Sequence, residues 1–319
     1  MLRIHFTDAD IRRTRVATGP DPLWEAVLSL TKLRSAHLPS HHAWWRRDAT
    51  RVLGGARGWL DVLCGLVPPK GNFPDFLTPS AGDGTHWARL LDTPPTRVRG
   101  DLAAAYRNRA PSDWVRRLAA DNQRTVLAET ATALRLYTEQ ALAPMWDVVC
   151  HAVDVDRTWR AAALLEGGVD QLLAGLRPDI QWDGATLTCP YPVSHSIELG
   201  GRGITLLPSY FCSAVPTTLI DGDLAPVLVY PVAPVPGSNQ IGGRLAKLLG
   251  ETRSRVLSLL SVSCTTTQLA HRAGISLATA SEHVKVLREA GLASSQRQGQ
   301  SVVHTLTPHG RTLTSAGHQ

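Results

Sequence analysis

Apolar residues recur at helical spacing through the first half of the chain. Past Pro111, Leu127, Ala131, Leu134, Thr138 and Ala141 fall on one helical face. Past Pro144, the series Val148, Ala152, Val155, Trp159 and Ala162 does the same. Each series predicts one stripe buried against a neighbouring helix. Gly167 and Gly168 weaken the second helix, after which Val169, Leu172, Leu173 and Leu176 resume the pattern. Earlier helices are expected near Leu23–Arg34 and over Ala43–Leu66, the latter interrupted at Gly54 and Gly55.

From about Asp179 to Val232 the pattern changes. Prolines at 190, 192, 208, 216, 226 and 231 separate short runs such as Ile204-Thr205-Leu206-Leu207 and Val227-Leu228-Val229-Tyr230. Such runs between turn residues predict a small antiparallel sheet. Pro234-Val235-Pro236-Gly237-Ser238-Asn239 continues neither a helix nor a central strand and reads as a linker.

Beyond the linker the order is helix, helix, helix, hairpin. Gly243–Leu249 and Glu251–Val262 offer Leu245, Leu248, Leu249, Val256, Leu257, Leu259 and Leu260 as core residues. Thr265 and Gln268 have the spacing of a capping box before a helix over Thr266–Arg272. Gly274 suits a left-handed turn, Ile275 plugs its corner, and Ser276 suits the N-cap of a helix over Leu277–Ala290. Ala280, Val284 and Leu287 face the core from that helix, and Gly291 follows it as the C′ residue. Two arms, Leu292–Arg297 and Ser301–Leu306, flank Gln298-Gly299 as a β-hairpin, with Val302, His304 and Leu306 alternating along the second. Two short helices joined by a tight turn and followed by a hairpin form a winged helix-turn-helix, whose second helix enters the DNA major groove.

Composition agrees with that division. The 319 residues are 43% hydrophobic and 19% charged, as in folded proteins, and the length predicts more than one domain. The net charge of +6 lies wholly in the last quarter: residues 242–319 hold nine Lys and Arg against three acidic residues, and the remainder balances. A basic excess confined to one module faces a polyanion. Only Lys32, Lys70, Lys247 and Lys285 are lysines among the 33 basic residues. The most apolar run, Leu224–Val235, is too short and proline-broken to span a membrane, and Met1–Phe6 lacks a signal-peptide core, so a cytoplasmic location is expected. Five scattered cysteines without a CxxC pair predict neither disulfides nor a zinc site.

The last quarter resembles the DNA-binding domain of the arsenic-repressor (ArsR) family. Carrying the match are Leu248-Leu249-Gly250-Glu251-Thr252-Arg253, Gln268-Leu269-Ala270, Gly274-Ile275-Ser276, and Thr279 with Ser281 and His283. The run Lys285-Val286-Leu287-Arg288-Glu289-Ala290-Gly291-Leu292 and the closing Leu306-Thr307 complete it. More loosely, Pro22-Leu23-Trp24-Glu25-Ala26-Val27, Leu206-Leu207-Pro208-Ser209-Tyr210-Phe211 and Leu228-Val229-Tyr230-Pro231 are similar to the long N-terminal region of some actinobacterial proteins of this type. The resemblance implies a transcriptional regulator that binds double-stranded operator DNA as a homodimer. Three features depart from the family. Ser263-Cys264-Thr265-Thr266-Thr267 holds one thiol where metal sensors place a cluster, and soft-metal binding needs two or three. Leu277 and Glu282 stand where members often carry polar or basic residues. The terminal helix that usually pairs the dimer looks reduced, since Pro308–Gln319 is short and polar; pairing is therefore expected from the N-terminal region.

Arg253, Lys285 and Arg297 are candidates for phosphate contact, and Ser276, Ala278, Thr279, Ser281 and Glu282 for base edges. Thr266, Thr267 and Gln300 complete the candidate DNA-binding set. Glu282 is either an acceptor for a cytosine amino group or a solvated helix residue. His304 reads as a wing residue. His37, His41 and His42 lack an acidic companion, and Gly200-Gly201-Arg202-Gly203 lacks the ending of a phosphate loop and reads as a turn between strands. No GxSxG, Walker loop, HExxH or GxGxxG occurs, so neither catalysis nor a cofactor is expected. All nine tryptophans lie between Trp24 and Trp182, either as core or as the lining of a pocket for a small organic effector. The expected architecture is mainly α within an α+β class. It divides into a helical region (1–178), a small β-rich subdomain (179–233), a linker (234–241) and the winged helix (242–310). A winged helix used for protein contact, or an enzyme in the N-terminal region, are the alternatives.

Overall fold

A computed structural model describes residues 1–36, 38–79, 86–107, 110–120, 123–176, 179–213, 215–232, 249–260, 263–298 and 301–315. The chain forms two compact units, Met1–Val232 and Ala233–Gln319. The class is α+β, with helices predominating and small sheets in each unit.

The first unit begins with β1 (Leu2–His5), where Leu2 and Ile4 are fully buried and Arg3 is exposed, as strand alternation requires. β1 pairs antiparallel with β4 (Thr186–Cys189) and parallel with β5 (His195–Glu198). With β3 (Gln181–Trp182) the sheet order is β3-β4-β1-β5. A second sheet is wholly parallel: β2 (Arg15–Val16), β6 (Thr205–Ser209) and β7 (Val227–Pro231), in that order. The expected small antiparallel sheet is therefore corrected to one mixed and one parallel sheet. Strands from the N-terminus enter both, a contribution that local pattern in residues 179–232 cannot reveal. Leu2, Ile4 and Phe6 share a core cluster with Leu172, Leu173, Leu187, Leu206, Leu228 and Tyr230, so residues 1–178 and 179–232 pack as one unit.

Apart from β2, helices fill the interval between β1 and β3. α1 (Asp8–Arg13) opens with a capping box between Thr7 and Asp10. In α2 (Pro22–Leu33), Asp21 accepts from the Leu23 and Trp24 amides, and Pro22 sets the first turn. α3 (Ala43–Leu53) and α4 (Arg57–Leu66) divide at the glycine pair, as expected. α5 (His86–Leu91), α6 (Pro95–Ala105) and α7 (Asp113–Ala119) are short helices that the apolar pattern does not announce. α8 (Gln123–Tyr137) buries Leu127, Ala131 and Leu134 and runs into a π turn over Thr138–Leu142 that buries Ala141.

α9 (Trp146–Ala174) corrects one predicted stripe. Its buried face is Val149, Ala152, Val153 and Asp156, while Trp159 is 68% exposed. The rotation has a polar cause. Asp156 is buried because Arg160 pairs with it at 2.8 Å and the Tyr230 hydroxyl donates to it at 2.5 Å. A count of apolar residues turns that polar pair outward. The helix breaks at Gly167 and at Gly168, whose φ is +68°, as the glycine pair predicts.

The second unit contains α10 (Glu251–Leu259), β8 (Cys264–Thr265), α11 (Thr266–Ala273) and α12 (Leu277–Glu289), then β9 (Ala293–Gln298), β10 (Ser301–Leu306) and α13 (Pro308–Ser315). Its sheet order is β8-β10-β9. Val256, Leu257, Leu260, Leu269, Val284, Leu287 and Leu306 form its core, with Leu249, Leu259, Ile275 and Leu313 packed against them. Leu245, Leu248, all of the expected helix Gly243–Leu249 except Leu249, and the linker lie outside the described residues. The segment expected to be merely short and polar forms α13 through Ser315, with Leu313 turned onto the unit's own core.

Candidate nucleic-acid interface

Local hydrogen bonds fix the angle between α11 and α12. The Thr265 amide donates to Gln268 Oε1 at 2.9 Å and the Gln268 amide to Thr265 Oγ1 at 3.3 Å, the reciprocal capping box. After α11, Gly274 has φ +60° and the Ile275 amide returns to the Ala270 carbonyl at 3.1 Å. Ser276 Oγ then accepts from the Thr279 amide at 3.1 Å and caps α12. At the far end Gly291, with φ +71°, donates to the Arg288 carbonyl at 2.9 Å, and Leu292 donates to the Leu287 carbonyl at 2.8 Å. That doubled return is the Schellman closure, which requires a left-handed residue at C′ and so favours glycine.

α12 buries Ala280, Val284 and Leu287, and so turns Ala278, Glu282, Lys285 and Glu289 outward. Thr279 and Ser281 are exposed on either side of that line, and Ser276 is exposed at its head. Six candidates therefore share one helix face and its start. Arg297 is exposed on the first wing strand, paired with Val302 across the hairpin. Thr267 is exposed in the first turn of α11. Arg253 stands apart on α10, half-buried, with Nη1 at 3.4 Å from the Leu249 carbonyl. Thr266 is half-buried and its hydroxyl lies 2.8 Å from His304 Nε2. Gln300 lies outside the described residues.

His304 is a buried strut of the wing. Its Nδ1 meets Ser295 Oγ at 2.8 Å while Nε2 meets Thr266, so one imidazole joins both wing strands to α11. Burial, with Arg288 nearby, holds its pKa below the ordinary imidazole value. Arg288, exposed in the last turn of α12, is a basic residue absent from the candidate set. Its place three residues after Lys285 is the signal that could have found it. Cys264 is 2% exposed within the core, and burial raises its thiol pKa.

The remaining motifs lie in the first unit. His42 is buried, stacks on Phe211 and hydrogen-bonds through Nε2 to the Tyr210 carbonyl at 3.0 Å; His37 lies outside the described residues. Gly200–Gly203 does turn the chain between β5 and β6, with the Gly203 amide on Asp10 Oδ1 at 2.8 Å. Beside that turn a groove of about 340 Å³ is lined by Arg13, Arg15, Arg202, Thr205, Ala225 and Pro226, with no tryptophan. Trp24 and Trp45 are core residues, and six other tryptophans are half-buried. No helix among the described residues is long and apolar enough to cross a membrane.

Residues 248–296 match a family described as a helix-turn-helix domain. No curated protein and no solved structure matches the chain. The C-terminal part of the protein is thus a helix-turn-helix domain, and its geometry is that of a DNA-binding module.

Proposed function

We propose that the protein is a transcriptional regulator of arsenic-repressor type. It reads double-stranded operator DNA with α12 in the major groove and the wing beside it. The observation that carries this reading is the exposed face of α12, held by two caps inside the segment that matches the helix-turn-helix family, with Arg297 exposed on the wing strand just beyond it. Duplex is favoured over single strands. From Ile241 onward there is no Phe, Tyr or Trp on which an unpaired base could stack.

The active species is a homodimer paired through the first unit, and it acts in the cytoplasm. α13 spends Leu313 on its own core, whereas α9 exposes Trp159, Leu164 at 45% and Leu165 at 88% within seven residues. A small anionic effector is the ligand class suited to the three-arginine groove. The regulator itself needs no metal or cofactor.

Binding to the protein's own upstream DNA at two salt concentrations tests the reading. Tight, sequence-selective binding that weakens steeply with salt is expected. Lys285→Ala and Arg297→Ala should each lower the slope of log K against log salt by about 1. One observation favours a protein partner instead: Glu282 and Glu289 share the outward line with Lys285. Salt-independent capture of a protein, with no DNA bound, would establish that alternative. For pairing, Leu165→Glu should convert a dimer to a monomer in light scattering, and an unchanged mass would place the interface elsewhere.

A further inference from the structure

α2 is buried along nearly its whole length, yet it carries Glu25, Ser29 and Lys32 at i, i+4 and i+7. A polar stripe inside a buried helix has to meet partners. Glu25 does so completely: it accepts from the Ser209 hydroxyl at 3.0 Å, the Tyr210 amide at 2.8 Å and the Phe211 amide at 3.0 Å. Ser209 Oγ in turn accepts from the Cys212 amide at 3.1 Å. The chain leaving the carboxyl end of β6 is therefore pinned residue by residue as far as Cys212. Parallel strands present their ligand-contacting loops at that end.

Lys32 meets the next residue of that loop. Its Nζ is 2.5 Å from the hydroxyl of Ser213, an exposed residue, while Lys32 itself is 6% exposed. Among the described residues no carboxylate lies within ion-pairing distance of it, and Ser213 is its one hydrogen-bond partner. Cys212, His41 and His42 are the titratable groups that bear on it electrostatically. Nδ1 of His42 is buried without a partner among the described residues. An unpaired buried ammonium is costly, and the amine can escape that cost by shedding its proton. Arginine cannot, and arginine fills 29 of this chain's 33 basic positions. The primary amine can serve there as a base, which a guanidinium could not. Burial moves its pKa below the ordinary lysine value.

We propose that Lys32 and Ser213 form a base–nucleophile pair that takes an acyl group from an ester or lactone. Ser213 Oγ attacks the carbonyl carbon and its proton passes to Lys32 Nζ. The carbonyl carbon's bond to the leaving oxygen breaks, and that oxygen takes the proton from Lys32. Acyl-Ser213 and an alcohol result. Water attacking the same carbon by the reverse route restores Ser213 and releases a carboxylic acid. This chemistry is independent of the helix-turn-helix domain, so its failure leaves the DNA-binding reading intact.

The test treats the full chain with p-nitrophenyl acetate, following p-nitrophenolate release and locating the adduct by peptide mass spectrometry. A burst of one equivalent per chain is expected, with the acetyl group on Ser213. Its rate should rise with pH to a midpoint below the ordinary lysine value of about 10.4. Ser213→Ala should abolish the burst, and Lys32→Met, which fills the same space without a base, should slow it on the order of 10²-fold or more. Acetylation of Lys32 or of another residue, or no adduct, overturns the proposal. So does a normal burst in folded Lys32→Met. If Lys32→Met does not fold, the adduct position and pH profile of the unsubstituted chain decide.

Discussion

In the first unit, buried carboxylates hold together segments far apart in the chain. Asp10 accepts from Gly203, Glu25 from Tyr210 and Phe211, and Asp75 from Ile220 and Asp221. In the second unit Ser254 and His304 are the buried polar residues among those described, and apart from the His304 strut the devices that shape it span three to five residues. A carboxylate that gathers several amides of one loop selects a single loop conformation, at a desolvation cost. A cap or a glycine return selects only where a helix stops. The first unit is thus specified by distant pairs, and the second by local punctuation around an apolar core.

Removing a pin should have the largest effect. Glu25→Ala leaves the Ser209 hydroxyl and two buried amides without an acceptor, and should cost roughly 3–5 kcal/mol. Tryptophan fluorescence during urea unfolding reads that loss in the first unit alone, because every tryptophan lies at or before Trp182. A cost below about 1 kcal/mol would show that the loop stands without its carboxylate. Ser276→Ala should cost about 1 kcal/mol through the lost cap of α12. Hydrogen exchange of the α12 amides should register it with the tryptophan transition unmoved. A matching shift in that transition would break the comparison, since the units would then unfold as one.

Acidification has the smallest and most discriminating effect. Burial raises Glu25 to about 7 and Asp75 to about 6. The stability these groups contribute is therefore full below their ordinary pKa values and is lost as pH rises through the raised ones. Burial lowers His41, and His42 to about 3, so their contribution is full above the ordinary imidazole pKa and is lost as pH falls. In the first unit these groups oppose one another. In the second, burial lowers His304, whose contribution is lost in the same way as pH falls. Between about pH 7 and 5, around the ordinary imidazole pKa near 6.5, exchange protection of the wing should fall more than the tryptophan transition shifts. His304→Gln should remove that pH dependence; if it persists, another group carries it.

The same contrast decides what was legible in the sequence. Thr265 with Gln268, Gly274, Ser276 and Gly291 each announce their role within a few residues, and each stands where it was expected. In the first unit the long helices were legible, down to the division of α3 from α4. Its sheets were not, because β1 and β2 find partners some 190 residues away. The α9 stripe failed at Asp156, whose burial depends on Tyr230. Of the candidate DNA-contacting residues, the α12 set is gathered on one face, whereas Thr266 turns its hydroxyl to His304. The Glu25-Ser29-Lys32 stripe of α2 gains meaning only against the loop after β6.

β1 lies between two strands that are made long after it, with Leu2 facing Cys189 on one side and His195 on the other. At ordinary rates of translation, roughly 10–40 s pass between synthesis of Leu2 and that of its partners. Throughout that wait the strand has two open edges and an apolar face with nothing to cover it. The first unit, although made first, closes only when β7 emerges, shortly before the helix-turn-helix is made. A chain that stops before Thr186 lacks both neighbours of β1, and neither sheet of the first unit can form from it.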